Sequence, residues 1–438
     1  GASDPGNLRY YPKGRLVKKL LEQYVNERTV NYGAMEVETP IMYSYTHPAL
    51  KDYLNRFPAR HYIVDSGDKD FFLRFAACFG QFLMAHDANI SYKNLPVRMY
   101  EMSRYSFRRE QSGELCALKR LRAFTMPDCH AMVADFKQGK EEMLRRFELA
   151  KEIMSGIGFN LPNDFEIGIR FVREFYEEHK DLAMSIAKKW GKPMLLEMWD
   201  ERFFYFMMKY EWNFIDAMDK ATALVTDQFD VENAERYDIK YMDKNGEEKR
   251  PIILHLSPSG AIERVMYALL EREWLNEQKD KAPMLPVWLS PEQVRLLPVA
   301  DRHIEHVKKI ADELEAANIR VGIEDRTLSV SKKVFEAKRD WIPYIIVIGD
   351  KEKESEKLPV VVRELSEPKK DKMIDMSIKE LIERISKESE GRPKSKFTMP
   401  RSMVKRPVFV SWGKGKEETS RGKGKEAAAK DKEQGDKK

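Results

Sequence analysis

The sequence predicts an α+β protein in which a larger N-terminal domain is followed by a smaller α/β domain, and three observations support this. Helical periods and short strand-like runs are mixed from residue 14 to about 284. The composition changes near Ala282-Pro283, and strands then alternate with helices, as is typical of a small domain with a mixed sheet. With 438 residues, 42% of them hydrophobic, the chain can fill two or three cores.

The elements of the larger domain follow from apolar periodicity and from stop signals. Leu16, Leu20 and Leu21 recur at helical spacing before Gly33, which predicts a helix over 14–32. An alternating stretch ended by Pro40 predicts a strand over 35–40. The other elements predicted here are a hairpin loop over 111–121, a helix over 137–157, a strand over 252–255 and a helix over 261–275.

The smaller domain is predicted from its alternation alone. Its predicted strands span 287–289, 294–299, 319–323, 344–348 and 358–362, and its predicted helices span 304–317, 330–339 and 378–385. We therefore expect domains over 1–284 and 285–390, followed by a basic tail over 391–438. The tail has 15 Lys and Arg against 6 Asp and Glu, so its net charge of +9 leaves −4 for the rest of a chain whose total is +5. Its low hydrophobicity predicts disorder, with either a solubilising role or a loose contact to nucleic acid.

Composition also limits the compartment and the chemistry of the thiols. The three cysteines, Cys78, Cys116 and Cys129, cannot all pair, so we expect reduced thiols with metal or packing roles. No apolar run approaches the roughly 20 residues of a membrane span, and the N-terminus lacks the apolar core of a signal peptide. We expect a cytoplasmic protein without a membrane partner.

Three residues flanking the predicted hairpin loop could bind a nucleotide. Arg108 and Glu110 stand two positions apart, so they point to the same side of a strand, and Phe124 follows on the next strand. An arginine can hold a phosphate with two hydrogen bonds, and an aromatic ring can stack on a base. An ordinary ion pair on a surface strand explains the same pattern.

A second arginine is predicted in the first turn of the helix over 261–275. Gly260 allows a tight turn before this helix, and Arg264 follows four residues later. The helix dipole disfavours a cation at this place, so an anionic partner such as a phosphate would account for it. An arginine paired with a neighbouring acid is the alternative.

Cys78, His130 and His255 form a candidate metal-ligand set. One thiolate and two imidazoles suit a catalytic zinc ion that keeps an open coordination position. The spacing between the three is long and irregular, so the residues alone also allow a purely structural role.

These elements occur in the order of the three class II aminoacyl-tRNA synthetase motifs. The segment ending at Pro40 resembles motif 1, Phe107 to Glu110 resembles motif 2, and Gly260 to Arg264 resembles motif 3. The details resemble the threonyl-tRNA synthetase family from about residue 10 to 387. The matching segments are LPVRMYE (95–101), CFG (78–80), RAFTMPDCH (122–130), TDQFD (226–230) and HLSPSGAIER (255–264).

The sequence departs from the family pattern near the proposed metal ligands. Phe79 stands where the family has a proline, and Gln81 stands where it has a histidine. Pro127 replaces one of two paired acids, Met126 replaces a glutamine, and motif 2 carries one extra residue before Arg108.

The resemblance implies an antiparallel sheet flanked by helices, an anticodon-binding domain, and a threonine–tRNA ligase that works through an adenylate. It implies zinc on Cys78, His130 and His255, magnesium with ATP, and a homodimer formed through motif 1. It assigns the remaining roles as follows: Arg108 and Arg264 to catalysis and, with Glu110 and Phe124, to ATP; Asp128, Tyr205 and Gln228 to threonine; Glu354 and Arg363 to the anticodon. Arg326 and Lys333 are weaker candidates for contacts to the RNA backbone.

Two further expectations concern accuracy and identity. Because the resemblance begins near Tyr10, we expect no editing domain, mischarging of serine, and a separate editing protein that acts in trans. Two alternatives stay open, namely another class IIa ligase for seryl- or prolyl-tRNA, and a non-catalytic paralogue that acts as an accessory subunit.

Overall fold

The computed structural model describes residues 3–55 and 60–409. None of the helices in this part of the chain has the length and apolar character that crossing a lipid bilayer requires. The elements up to Glu277 and those from Val294 onward build separate main sheets, and they are described below as a larger and a smaller domain.

The larger domain contains eight helices and thirteen strands among the described residues. The helices are α1 (Pro12–Asn31), α2 (Pro48–Asn55), α3 (Cys78–Asp87), α4 (Phe136–Ile157), α5 (Arg173–Glu178), α6 (Lys180–Trp190), α7 (Asn233–Arg236) and α8 (Ile262–Glu277). The strands are β1 (Met35–Glu36), β2 (Met42–Ser44), β3 (Tyr62–Asp65), β4 (Asp70–Leu73), β5 (Val97–Phe107), β6 (Ala123–Val133), β7 (Phe165–Val172), β8 (Leu195–Trp199), β9 (Phe206–Ile215), β10 (Ala221–Asp230), β11 (Tyr241–Met242), β12 (Glu248–Lys249) and β13 (Ile252–Ser257).

An eight-stranded sheet organises this domain, in the order β1-β5-β6-β13-β10-β9-β7-β8. The strands from β5 to β7 in this order run antiparallel, whereas β1 and β8 join the two edges in parallel. Helices α1, α4 and α8 pack together on the sheet, and Phe147 and Trp212 are among the largest side chains buried between them. The predicted antiparallel sheet flanked by helices is therefore confirmed.

Helix α4 illustrates how local sequence sets an element. The carboxylate of Asp135 accepts a hydrogen bond from the backbone N–H of Gln138 and so caps the helix. Gly158 ends it with a positive φ of 115°, a conformation that favours glycine. The apolar residues between these two signals, such as Phe147 and Ile153, face the sheet and are fully buried.

The smaller domain has the predicted mixed sheet. Its helices are α9 (Ile304–Ala316), α10 (Val330–Arg339), α11 (Asp350–Glu354) and α12 (Ile378–Glu388), and its strands are β14 (Val294–Pro298), β15 (Val321–Ile323), β16 (Tyr344–Ile348), β17 (Leu358–Val362) and β18 (Met373–Met376). The sheet order is β15-β14-β16-β17-β18, with β14 parallel to both neighbours and the other pairs antiparallel. A separate apolar cluster from β14 to α12 forms its core.

Two predicted strands are wrong in type or in length. Val287 to Leu289 form a turn, in which the indole of Trp288 donates to the carbonyl of Gly156 over 3.2 Å and packs in the core of the larger domain. These apolar side chains join two domains and do not lie in a sheet. In the predicted strand over 35–40, Met35 and Glu36 pair with β5, and Val37 adds one backbone hydrogen bond to Tyr100 before the strand ends.

The prediction of disorder over 391–438 is wrong for residues 391–409, and residues 410–438 lie outside the described part. We call residues 392–409 the C-terminal strap. Arg392 contacts Tyr24 of α1, Arg401 pairs with Asp312 over 2.5 Å, and Arg406 pairs with the buried Glu292 over 2.7 Å. The strap has low hydrophobicity but is ordered by ion pairs with acids from distant parts of the chain.

Candidate active site and metal centre

The sheet brings the three predicted metal ligands together. Cys78 is the first residue of α3, His130 lies in β6 and His255 lies in the adjacent β13. His255 stands directly opposite His130 in the antiparallel register of these strands. Residues separated by 52 and 125 positions therefore meet because two strands pair and one helix starts above them.

The geometry of this cluster fits a zinc ion. The Cys78 Sγ atom lies 3.2 Å from His130 Nε2 and 3.8 Å from His255 Nδ1, and all three donor atoms lie within 4.8 Å of one another. A tetrahedral zinc site with ordinary bond lengths separates sulfur and nitrogen by roughly 3.6 Å. Three protein ligands leave one position for a substrate, as in catalytic zinc sites.

The protonation of these groups agrees with a cation site. Burial, and then the nearby His255, lower the pKa of His130 well below its usual value, so its imidazole is neutral. Burial, and then Asp128 and Asp230, raise the pKa of the Cys78 thiol. Neutral imidazoles are the form that binds metal, and a cation among them would stabilise the thiolate.

The residues predicted to contact threonine lie around this cluster. Gln228 stands opposite His255 in the β10–β13 pair. The hydroxyl of Tyr205 donates to Gln228 Oε1 over 2.6 Å. Asp128 accepts a hydrogen bond from the backbone N–H of Ala77 over 3.4 Å, and burial raises the pKa of its carboxyl to about 7.

All four residues predicted to bind ATP line one cavity of about 100 Å³. Glu110 is buried there, accepts a hydrogen bond from Arg60 over 2.5 Å, and forms ion pairs with Arg108 at 3.2 Å and Arg120 at 3.0 Å. Phe124 begins the opposite strand. The arrangement combines an aromatic ring with a group of cations, which suits a nucleotide.

Arg264 enters the same cavity from the first turn of α8. Its Nε atom donates to the carbonyl of Lys119 over 3.0 Å, and its Nη1 atom donates to the carbonyl of Ala223 over 3.2 Å. Burial, and then Arg108 and Arg120, lower its pKa. An anion in this cavity would relieve that repulsion between cations.

Gly260 is required by the turn that places Arg264. Its φ is +76°, and a Cβ atom at this position would lie 2.4 Å from the carbonyl oxygen of Leu224. Only a residue without a side chain fits so close to another backbone. The reason expected from sequence for this glycine is therefore confirmed by the geometry.

One strand connects the nucleotide cavity with the metal-ligand cluster. Phe124, Asp128 and His130 are even-numbered residues of β6 and so point to the same face of the sheet. Six residues of strand separate the first from the last, a distance of roughly 20 Å. The nucleotide cavity and the metal-ligand cluster therefore lie along one face of β6.

The predicted anticodon residues lie in different environments. Glu354 is exposed at the end of α11, whereas Arg363 is buried after β17 and donates to the carbonyl of Pro283 over 2.6 Å. Arg363 also lines a cavity of about 320 Å³ with Phe335 and Trp341.

The two weaker candidates for RNA contacts are both engaged within the protein. Lys333 is buried and donates to the carbonyl of Pro298 over 2.8 Å, so it is not available to RNA in this structure. Arg326 pairs with Glu324 through two hydrogen bonds.

Sequence reasoning assigned no role to three residues that hold the site together. Arg60 pairs with Glu110, Gln81 contacts His130, and Asp230 contacts His255. A signal existed for Asp230, because it lies two positions after Gln228 and therefore on the same face of β10. Arg60 gave no local signal, since it precedes β3 by two residues and is far from motif 2 in the chain.

Two family models match the chain and agree with this division of the fold. The model of the class II tRNA synthetase core domain (G, H, P, S and T) matches residues 61–273. The model of the anticodon-binding domain matches residues 293–388. The first match spans the nucleotide cavity and the metal-ligand cluster.

Curated relatives with similar sequences are threonine–tRNA ligases. The chain is 56% identical over 407 residues to a threonine–tRNA ligase of Pyrococcus furiosus and to one of Pyrococcus horikoshii, which covers 93% of this chain and 64% of each relative. The solved RNA-binding domain of threonyl-tRNA synthetase from Cryptosporidium parvum has the same fold, with a TM-score of 0.74, 24% identity, and coverage of 90% of this chain and 95% of that one. The chain thus spans 64% of the length of each of these curated threonine–tRNA ligases, and its two matched domains show that it belongs to the class II tRNA synthetases.

Proposed function

We propose that the chain is a threonine–tRNA ligase that forms threonyl-adenylate from threonine and ATP and transfers the threonyl group to tRNA. The observation that carries this proposal is the shared face of β6, with the cluster of Cys78, His130 and His255 at one end and the nucleotide cavity at the other. The amino acid and the ATP would thus meet between the two ends.

Activation requires positioning of two anions and no side-chain nucleophile. The carboxylate of threonine attacks the α-phosphorus of ATP, and pyrophosphate leaves with its electron pair. Arg108 would hold the α-phosphate and stabilise the charge that develops there, while Phe124 and Arg264 enclose the adenine and Glu110 accepts from its edge. Magnesium would neutralise the other phosphates.

ATP binding requires some of the present contacts to change. Arg108 now pairs with Glu110, and Arg264 donates to the carbonyl of Lys119 in the hairpin loop. We infer that the nucleotide replaces these contacts, since each guanidinium gains a phosphate or a base in exchange for a partner within the protein.

Selection of threonine would occur at the other end of this face of β6. Zinc on Cys78, His130 and His255, when bound, supplies an open Lewis-acid position for an amine and a hydroxyl. Asp128 would orient the hydroxyl, and Tyr205 and Gln228 would enclose the amino acid. Valine lacks the hydroxyl and is rejected strongly, whereas serine lacks only a methyl group, worth about 1–3 kcal/mol.

We also propose a homodimer and a tRNA contact. The region of motif 1 exposes several large apolar side chains near the sheet edge at β1, among them Met35, Ile41 and Met42, which suits an interface between copies. The exposed Glu354 is the better placed of the two candidate anticodon residues.

ATP–pyrophosphate exchange with threonine, serine, valine and proline, together with the zinc content of the protein, tests the proposal. We expect exchange with threonine, exchange with serine reduced roughly 10- to 200-fold, none with valine, and about one zinc per chain. Arg108→Ala should reduce exchange by about 10²- to 10³-fold, whereas Arg109→Ala, at the exposed neighbouring arginine, should leave it unchanged.

Other results would point to the alternatives. Exchange with proline alone and no zinc would assign the chain to a sister enzyme. No exchange with any amino acid by a folded, zinc-containing dimer would favour an accessory subunit.

A further inference from the structure

Gln81 is completely buried directly behind the metal-ligand cluster. It lies in α3, three residues after Cys78, so that it faces β6. Its Nε2 atom donates to the backbone carbonyl of Asp128 over 3.2 Å, and its Oε1 atom lies 2.8 Å from His130 Nδ1. Both ends of the amide are therefore used, one by a predicted ligand and one by the strand that carries it.

These two contacts determine which nitrogen of His130 carries the proton. A backbone carbonyl can only accept a hydrogen bond, so the amide nitrogen of Gln81 must face Asp128. The amide oxygen then faces His130 Nδ1, which must donate. The other ring nitrogen, Nε2, is left with its lone pair and lies 3.2 Å from the Sγ atom of Cys78.

His255 is held in the opposite orientation. Its Nε2 atom lies 2.7 Å from Asp230 Oδ2, and this carboxylate also accepts from the side chain and the backbone N–H of Asn233. His255 therefore presents Nδ1 to the cluster, 3.8 Å from Cys78 Sγ. One histidine is supported by a neutral amide and the other by a carboxylate.

We propose that Gln81 is a positioning residue that fixes His130 as the Nδ1-protonated tautomer and thereby sets the affinity of the site for zinc. This inference rests on the proposed zinc role. Gln81 acts through His130 and does not itself reach the metal position. Outer hydrogen-bond partners of this kind typically change metal affinity about 10- to 100-fold when they are removed.

Two substitutions separate this role from simple packing. Gln81→Met keeps the length of the side chain but removes both hydrogen bonds. Gln81→Glu keeps an acceptor for His130 Nδ1, and in its neutral form a glutamic acid also donates to the Asp128 carbonyl. Gln138→Met is a matched control, because the side chain of Gln138 likewise makes two hydrogen bonds, both to backbone, at Ala134 and Leu95, but touches no member of the cluster.

The first measurement is zinc affinity of the full chain and its variants, by competition with a chromophoric chelator. We expect Gln81→Met to bind zinc about 10- to 100-fold more weakly, and Gln81→Glu and Gln138→Met to bind it like the unmodified protein. Melting temperatures of the metal-free proteins identify any variant that fails to fold. If folded Gln81→Met binds zinc as tightly as the unmodified protein, the inference is wrong.

The second measurement needs no metal. Nitrogen chemical shifts of ¹⁵N-histidine in the metal-free protein distinguish the two tautomers. We expect His130 to be protonated at Nδ1 in the unmodified protein and in Gln81→Glu, and to lose this preference in Gln81→Met. A chain that binds no zinc would overturn the proposed function, whereas an unchanged tautomer in Gln81→Met would overturn the role of Gln81.

Discussion

Arg146 and Asp227 form a doubly hydrogen-bonded ion pair that is completely buried between α4 and β10. The Nε and Nη2 atoms of Arg146 lie 2.8 and 3.0 Å from the two carboxylate oxygens, and both side chains have no exposed surface. Arg146 Nη2 also donates to the carbonyl of Cys129 in β6 over 2.9 Å. The strands on either side of β13, which carries His255, are thus tied together from behind the sheet.

Arg146→Met should therefore destabilise the larger domain strongly. It leaves the Asp227 carboxylate buried without its cation, a change that typically lowers the free energy of unfolding by about 3–5 kcal/mol. The double variant Arg146→Met/Asp227→Leu should recover part of this loss, because no unpaired charge is left. Denaturant unfolding followed by fluorescence measures both. Arg173→Met, at an exposed pair with Asp200, is the control and should leave stability unchanged; an equal loss in both single variants would contradict the argument.

Gly260 offers a direct test of why motif 3 needs a glycine. Gly260→Ala combines a strained positive φ with a Cβ atom 2.4 Å from a backbone oxygen, whereas Gly246→Ala has a φ of +80° but meets no atom within 4 Å. The Gly246→Ala control should lose only the stability that the strained φ costs, about 1 kcal/mol in the free energy of unfolding. Gly260→Ala should lose more stability and should also weaken ATP binding, because the start of α8 and Arg264 shift. Thermal unfolding and ATP titration check this, and equal effects of the two substitutions would show that the clash is relieved without moving the helix.

Elements with strong local signals were predicted closely. Helix α10 spans Val330–Arg339 as expected, with Ser329 accepting from the N–H of Lys332 at its start, and β16 and β17 also match their predicted ranges. The turn at Val287 to Leu289 was misjudged because an apolar triplet looks the same in a strand and in a contact between domains. Local periodicity carries no information about which of these the triplet forms.

The candidate metal site could not be predicted from local sequence, because it depends on the pairing of strands that are distant in the chain. The meeting of Cys78, His130 and His255 follows from the register of β6 and β13, which spacing along the chain does not reveal, so the family resemblance was needed to select them. The order of residues 391–409 was missed for a similar reason. Composition shows that the segment is basic, but the acids that bind it, such as Asp312 and Glu292, lie 89 and 114 residues away from their arginines.

The C-terminal strap should contribute measurable stability through Arg406. Arg406→Ala removes one of two arginines from the buried carboxylate of Glu292, whose pKa is lowered because Arg295 and Arg406 outweigh its burial. Since Arg295 remains, we expect a loss of about 1–3 kcal/mol in the free energy of unfolding. Lys405→Ala, at the exposed neighbouring residue, should have no effect. Denaturant unfolding compares the two variants, and an Arg406→Ala protein as stable as the unmodified one would show that the Arg406–Glu292 pair adds nothing to the fold.

Glu380 should give the smaller domain a pH-dependent stability. Its carboxylate accepts from the backbone N–H of Ser377 over 2.6 Å at the start of α12 and pairs with Lys357 over 3.0 Å, and these contacts lower its pKa from 4.5 to about 2. Because the folded state favours the ionised form, this contribution is complete above about pH 4.5 and is lost as the pH falls towards 2. Glu380→Gln should therefore lower the melting temperature at pH 7, and its difference from the unmodified protein should shrink at pH 4 and below. Glu383→Gln, exposed on the same helix, is the control. A difference that stays constant with pH would show that Glu380 acts through its shape and not through its charge.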